Sequence, residues 1–384
     1  MTDYLGTEAT FDVAVVGGGP AGCSTALALA RHGRRCLIVE KSAYTDIRVG
    51  ETLPAAIHRL MVELGVWERF LAAEFVPAHA ISAVWGADQA RENASIFDPY
   101  GPGWHVDRPR FDRLLAQAAV DAGVTLAVQA RITASELDES GLWRLSLDRA
   151  GSAYEVRARL LVDATGRAAT LARRMGASRI RADRLMGLTA FFRMPISDDA
   201  RETVMLVEAV EGGWWYSAPL PGRRLAVAYL TDADLAADPA AGLTAQFFRR
   251  LKRAPRTSAR LRNCCCDGGL TASAADSSIS SPMCASRWVA VGDAAMAFDP
   301  LASQGVYRAL SSGLQAAAAI ERQWGGEAGA LKAYERQAVS DFDRYLVQRQ
   351  HFYRLEGRWP TQEFWRRRHQ HKSTRPAGET ANGA

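Results

Sequence analysis

The feature that most narrows what this chain can fold into lies near its start. The apolar run Phe11 to Val16 meets Gly17-Gly18-Gly19-Pro20-Ala21-Gly22, and an alanine- and leucine-rich stretch of helical length, Ala21 to His32, follows. A strand that runs into G-x-G-x-x-G at the mouth of a helix is the context in which this spacing binds a dinucleotide. Gly17 permits the tight turn, Gly19 lets the backbone approach a pyrophosphate, and Gly22 lets helix and strand pack closely. Pro20 and Ala21 open the helix, whose first amides point at the anion. Cys36 to Glu40 (CLIVE) reads as the next buried strand and ends in Glu40, 18 residues past Gly22, where a carboxylate accepts ribose hydroxyl protons. Lys41, beside it, joins the candidate nucleotide-binding set.

Two later apolar runs also end in chemistry-bearing turns. Arg159 to Val162 leads into Asp163-Ala164-Thr165-Gly166, and Trp288 to Val291 leads into Gly292-Asp293. Beyond the second lie Asp299-Pro300, Gln304 and Gly305, just before a helix. An aspartate after a strand can hold a ribityl hydroxyl, and the helix starting near Gly305 can aim its positive end at the flavin N1 and C2 carbonyl. NAD has no such middle segment, so the cofactor is read as FAD, with Asp293 and Gly305 among its contacts.

Between these runs, Leu188 to Met194, Thr203 to Val210, Trp214 to Leu220 and Arg224 to Leu230 alternate and are rich in branched and aromatic residues, as antiparallel strands are. The expected fold is therefore α/β, with a discontinuous Rossmann-like FAD-binding domain over 1–75, 100–187 and 284–325. An antiparallel-sheet substrate domain from 76–99 and 188–283 is inserted into it. A C-terminal helical region over 326–371 and a polar, frayed tail over 372–384 complete the chain.

The motifs GGGPAG, Asp163-Ala164-Thr165-Gly166 and GDAAxxxDPxxxQG together resemble the FAD-binding monooxygenase superfamily, which holds aromatic hydroxylases, geranylgeranyl reductases and flavin-dependent halogenases. The resemblance implies cofactor contacts from Arg48 in Arg48-Val49-Gly50-Glu51 and Arg110 in Arg108-Pro109-Arg110-Phe111-Asp112. Simple aromatic hydroxylases carry Asp-Gly where this chain has Asp163-Ala164. That departure sets a separate flavin reductase beside NAD(P)H as the electron donor, with O2 as the oxidant.

Gly213-Trp214-Trp215-Tyr216-Ser217-Ala218-Pro219 resembles the GWxWxIP signature of tryptophan halogenases, which use a lysine from the first part of the chain to capture hypohalous acid. Here no lysine stands between Lys41 and Lys252, and Ala78 in Phe75 to Gly86 lies near the expected place. Without an amine to hold the oxidised halide, hydroxylation is the expected reaction. Two further stretches, Ser82 to Gly86 leading to Pro99 to Arg108 and Glu356 to Pro360 leading to Phe364 to Arg367, resemble the flavoprotein maturases of tryptophylquinone cofactors. That resemblance implies a monooxygenase that hydroxylates an indole ring through a flavin C4a-hydroperoxide, its substrate a tryptophan held in a protein or peptide partner. Trp214 and Trp215 are expected to line the substrate pocket. Glu51, His79 and Trp214 are the catalytic candidates, with His105 as a further possible base. The alternatives are a natural-product hydroxylase or halogenase, a prenyl-type flavin reductase, and a non-catalytic flavin-bound chaperone.

Charge sharpens the partner expectation. The net +5 is concentrated in Arg249 to Arg253 and Arg366 to Arg368, without a recognisable nucleic-acid module, so these runs are expected to steer an acidic protein partner. The six cysteines show neither a disulfide framework nor metal-ligand spacing. No run reaches the roughly 18 apolar residues that span a bilayer, and Met1 to Thr10 lacks a leader's pattern, so a cytoplasmic location is expected.

Overall fold

The computed structural model describes residues 9–94, 98–195, 203–236 and 242–370, and the expected tail at 372–384 lies outside them. Its first eight-stranded sheet has a parallel centre: Trp288–Ala290, Ser152–Asp163, Ala9–Val16, Cys36–Glu40 and Thr125–Val128 lie side by side in that order. All five residues of Cys36–Glu40 are buried, as a strand covered on both faces requires. The helices Pro20–Arg31 and Gly305–Trp324 pack against each other over this sheet. The approach is close enough that a Cβ on Gly313 would sit 2.6 Å from the Ala21 carbonyl oxygen.

The second eight-stranded sheet has Leu185–Arg193, Arg224–Asp232, Gly213–Leu220 and Val204–Val210 as antiparallel neighbours. Ala80–Val84 adds to Val204–Val210 in parallel, and Arg91–Ala94 closes that edge. Val76–Ala78 does not join this sheet. It pairs with Gly103–His105, which also pairs with Thr52–Leu53, in a small three-stranded sheet between the large ones.

Successive residues of a strand face opposite sides. On Gly213–Leu220 this sends Trp215 toward the helix Leu243–Leu251, where it packs on Tyr229 and Phe247 at ring separations of 4.9 and 5.0 Å. Trp214 and Tyr216 face the other way, toward the first sheet. The expectation that both tryptophans line the pocket is thus corrected for Trp215, which is fully buried in the core behind the sheet.

The 25-residue helix Ala330–Arg354 straps the two sheets together. The Tyr334 hydroxyl donates to the Ala290 carbonyl, and Tyr353 reaches the second sheet, where its hydroxyl accepts from Trp214 Nε1. The short helix Glu363–His369 then seats Phe364 and Trp365 under the second sheet. The stretches around Trp85 and Glu356, far apart in sequence, meet here. Trp85 Nε1 donates to the Phe352 carbonyl, the Gly86 amide donates to Glu356, and Trp85 lies edge-on to Trp365 at 5.3 Å.

This packing also corrects the expected role of the last basic run. Arg368 pairs with the buried Asp232, Arg367 with Asp232, Asp234 and Glu363, and Arg366 with Glu363. These arginines tie the terminal helix to the sheet and to itself instead of forming an open docking face. Among the described residues, no helix is long and apolar enough to cross a membrane.

Candidate functional site

A cavity of about 1040 Å³ runs between the two sheets, from the glycine turn to the Trp214 and Tyr216 face. At its first end Gly17 holds φ +108°, and its amide donates to the Val39 carbonyl, bending the chain off the sheet. A Cβ on Gly22 would fall 1.9 Å from the Gly17 carbonyl oxygen, so only glycine fits where helix crosses strand. A Cβ on Gly19 would meet nothing within 4 Å, although Gly19 lines the cavity. Pro20 and Ala21 line it too, at the start of a helix whose first-turn amides have no intrahelical acceptor.

Glu40 is buried beside them. Its Oε2 accepts from the Gly18 amide at 2.7 Å, and its Oε1 accepts from the Ser42 amide and hydroxyl and from Arg48. Burial works to raise its pKa, but the hydrogen bonds from Ser42 and Gly18 and the Arg48 charge outweigh it and hold the carboxyl below its ordinary value. An ionised carboxylate oxygen takes two donors, so Oε2 retains capacity for a ribose hydroxyl.

Arg48 bridges Glu40 and Asp112 at 3.1 Å each and lines the cavity. Arg110 does not line it: it is exposed, its guanidinium 5.4 Å over the Phe75 ring. Arg108 lines the wall instead, held by Asp112 and the Val49 carbonyl. The reason is helical geometry, because residues two apart project about 200° from each other. Lys41 borders the nucleotide end, and Asp293, 3.5 Å from Arg167, borders the middle. Gly305 lines the cavity at the start of the 20-residue helix Gly305–Trp324.

A profile of the family described as FAD binding domain matches residues 10–349. The chain belongs to this FAD-binding family. Its residues fit the cofactor that the family name implies, because the Gly19 gap, the adjoining helix start and the spare acceptor on Glu40 form a cradle for a dinucleotide. Asp293 and the helix beginning at Gly305 stand where the flavin half would follow.

Among relatives, LodB of Marinomonas mediterranea, which carries the name FAD-dependent oxidoreductase, is 30% identical over 94% of this chain and 97% of its own. Tryptophan 2-halogenase of Chondromyces crocatus is 27% identical over 92% of this chain and 69% of its own. Two solved structures share 26% identity with this chain. The flavin-dependent halogenase CmlS superposes with TM-score 0.85, covering 96% of this chain and 68% of its own. QhpG, a peptidyl tryptophan dihydroxylase of tryptophylquinone biogenesis, superposes with TM-score 0.76, covering 94% and 79%. The chain is accordingly a flavin-dependent enzyme of the monooxygenase and halogenase-like superfamily.

The far end of the cavity lies against the second sheet, at Trp214 and Tyr216. Glu51 is buried there; Oε2 accepts from the Gly50 amide at 3.0 Å, while Oε1 has no hydrogen-bond partner. Burial pushes its carboxyl above the ordinary value of 4.5. Beside it Thr52 Oγ1 lies 2.8 Å from the Tyr216 hydroxyl and 3.0 Å from His105 Nδ1.

Trp214 lines the same end, with its Nε1 bound to the Tyr353 hydroxyl at 3.0 Å. That hydroxyl donates to Asp299 Oδ2 at 2.7 Å, so the loop carrying Asp299 is tied to the second sheet through one tyrosine. His79 stands outside, exposed in the link between Val76–Ala78 and Ala80–Val84. Sequence reasoning missed Thr52, Tyr216 and Arg108. The one local signal for Thr52 was its place next to Glu51.

Proposed function

We propose that this enzyme is an FAD-dependent monooxygenase that hydroxylates an indole ring, its substrate a tryptophan held in a peptide or protein. The observation that carries this reading is Glu51 Oε1, a buried and unpartnered carboxylate oxygen at the Trp214 and Tyr216 end of the cavity. Electrophilic oxygen delivery to an aromatic carbon displaces a ring proton, and Glu51 Oε1 is placed to take it. Lys41, at the nucleotide end beside Glu40, is the single lysine among the described wall residues, so no amine meets an oxidised halide at the reactive end. Trp214 supplies a flat apolar wall for an aromatic substrate and helps keep water out. Bound and reduced FAD supplies the oxygen chemistry. The likeness to QhpG, a peptidyl tryptophan dihydroxylase, supports the peptidyl substrate, and the absence of Asp-Gly at Asp163-Ala164 supports a separate reductase as electron donor.

Halogenation is the second reading, favoured by the likeness to tryptophan 2-halogenase across most of the chain. One experiment separates the two. Purified, FAD-loaded protein receives a tryptophan-containing peptide, O2 and bromide. Reducing equivalents come from a separate flavin reductase in one arm and from NAD(P)H alone in the other. A mass gain of one or two oxygen atoms on the peptide is expected in the reductase arm. A bromine gain establishes the halogenase, and neither product from a protein with reducible FAD overturns the monooxygenase reading.

The pH profile tests Glu51 itself. Because its carboxyl titrates above the ordinary 4.5, kcat/KM is expected to rise with pH through a limb displaced upward from that value, as the base ionises. Glu51→Gln is expected to lower kcat by about a hundredfold and to flatten that limb. An unchanged limb in the variant assigns the base elsewhere.

A further inference from the structure

We infer that the chain Tyr216, Thr52, His105 fixes the Tyr216 hydroxyl as a hydrogen-bond acceptor toward the cavity, so that the site selects rings carrying an N–H or O–H donor. The inference rests on the aromatic-substrate reading above and adds a recognition rule to it. Its starting point is a backbone carbonyl. His105 Nε2 lies 3.2 Å from the Thr203 carbonyl oxygen, which can only accept, so Nε2 carries the hydrogen. A neutral imidazole then has a bare lone pair on Nδ1, which can only accept.

Thr52 Oγ1, 3.0 Å away, gives its one hydrogen to that nitrogen. The Thr52 oxygen in turn accepts from the Tyr216 hydroxyl at 2.8 Å. With its own hydrogen committed, Tyr216 has only lone pairs left to offer a ligand. The reverse arrangement would leave the buried Nδ1 without a donor, at the cost of an unmade buried hydrogen bond.

The surroundings hold His105 in the neutral form that this chain requires. The residue is fully buried, and burial pushes its pKa down to about 4, opposed by the Thr203 carbonyl and reinforced by the positive charge of Arg260. Arg260 is itself held by the Val204 and Ser217 carbonyls. Glu51, whose charge bears on Tyr216, is the acidic neighbour at the cavity end. The direction of the chain therefore stays set across the neutral and mildly acidic range. His105 is a positioning residue, since it reaches the substrate only through Thr52 and Tyr216. In the tryptophan reading the donor so selected is the indole N–H.

The test measures dissociation constants by calorimetry on the FAD-loaded full chain. The probes are N-acetyltryptophan amide and its benzothienylalanine isostere, which replaces N–H by sulfur, with p-cresol and toluene as a second pair. The N–H probe is expected to bind about tenfold tighter than its isostere, the usual scale for leaving a buried acceptor unpaired. Tyr216→Phe, Thr52→Val and His105→Leu are each expected to bring the ratio near one. His105→Asn, whose Oδ1 still accepts from Thr52, is expected to preserve it. FAD content and melting temperature verify that each variant is folded.

Equal binding within both pairs by the unmodified protein, absence of binding by all four probes, or a ratio unmoved in every folded variant overturns the inference. A preference within the phenol pair alone refutes the tryptophan reading and retains the acceptor.

Discussion

Gly22→Ala is expected to yield protein almost devoid of flavin and poorly folded, whereas Gly19→Ala is expected to yield well-folded protein that loads flavin weakly. The two glycines belong to one motif, but what surrounds them differs. At Gly22 the added carbon would meet the Gly17 carbonyl oxygen at 1.9 Å and the Ala164 Cβ at 3.1 Å. Neither neighbour is a flexible side-chain end. Gly17 cannot retreat, because it holds φ +108° and a Cβ there would itself fall 2.2 Å from the Ala164 carbonyl oxygen. Overpacking a site of this kind costs about 1–3 kcal/mol or more, and here it also distorts the turn that forms the nucleotide cradle.

At Gly19 the same carbon clashes with no protein atom but projects from the cavity wall where a pyrophosphate must approach. Flavin absorbance per protein, set beside the melting temperature of the apoprotein, checks both expectations. A Gly19→Ala protein with full flavin occupancy would remove the pyrophosphate from this turn.

Trp365→Ala is expected to produce the largest loss of stability of any single truncation in the C-terminal helix, about 3–5 kcal/mol. Trp365 is fully buried, and its Nε1 donates to the Val210 carbonyl at 3.0 Å. It lies edge-on to Trp85 at 5.3 Å and to Phe364 at 5.0 Å. Removing it opens a ring-sized cavity and takes away a donor to the Val210 carbonyl in one step. Set against a total stability of about 5–15 kcal/mol, that is a large fraction.

The effect reaches the site, because the same cluster holds Tyr353, whose hydroxyl joins Trp214 to Asp299. Flavin occupancy is therefore expected to fall together with the urea midpoint. Arg366→Ala on the same helix is expected to change stability by no more than about 0.5 kcal/mol, since its side chain is exposed. Equal midpoints for Trp365→Ala and the parent protein would show that the helix does not brace the sheet.

Sequence reading succeeded where the determining contacts are local. The strand, glycine turn and helix from Ala9 to Arg31 were legible because the turn geometry and helix start are written within a few residues. The long helix Ala330–Arg354 falls inside the helical region expected over 326–371 for the same reason, its pattern being periodic over many turns. The antiparallel strands were each found to within about three residues, since alternation marks a half-buried strand.

Other assignments depended on what packs where. Alternation states that Trp214 and Trp215 face opposite sides, yet only the helix Leu243–Leu251 behind the sheet decides that Trp215 is core and Trp214 is wall. Arg108 and Arg110 are both arginines at a helix start, and the docking angle of that helix chose Arg108 for the cavity. The arginines at 366–368 read as an open basic patch until Asp232, at the end of a strand of the second sheet, and Asp234, in the short helix Ala233–Ala236 after it, paired with two of them.

The sequence by itself therefore determined the FAD cradle, whose glycines and acid act through backbone geometry over one strand, helix, strand unit. Tertiary structure alone decided the far end of the cavity. There Thr52 meets His105 across 53 positions, His105 meets Thr203 across 98, and Thr52 meets Tyr216 across 164. Hydrogen bonds between residues so far apart leave no local pattern in the chain: Thr52 and His105 meet as partners in the small sheet, and Tyr216 and Thr203 join them only where that sheet meets the second large one.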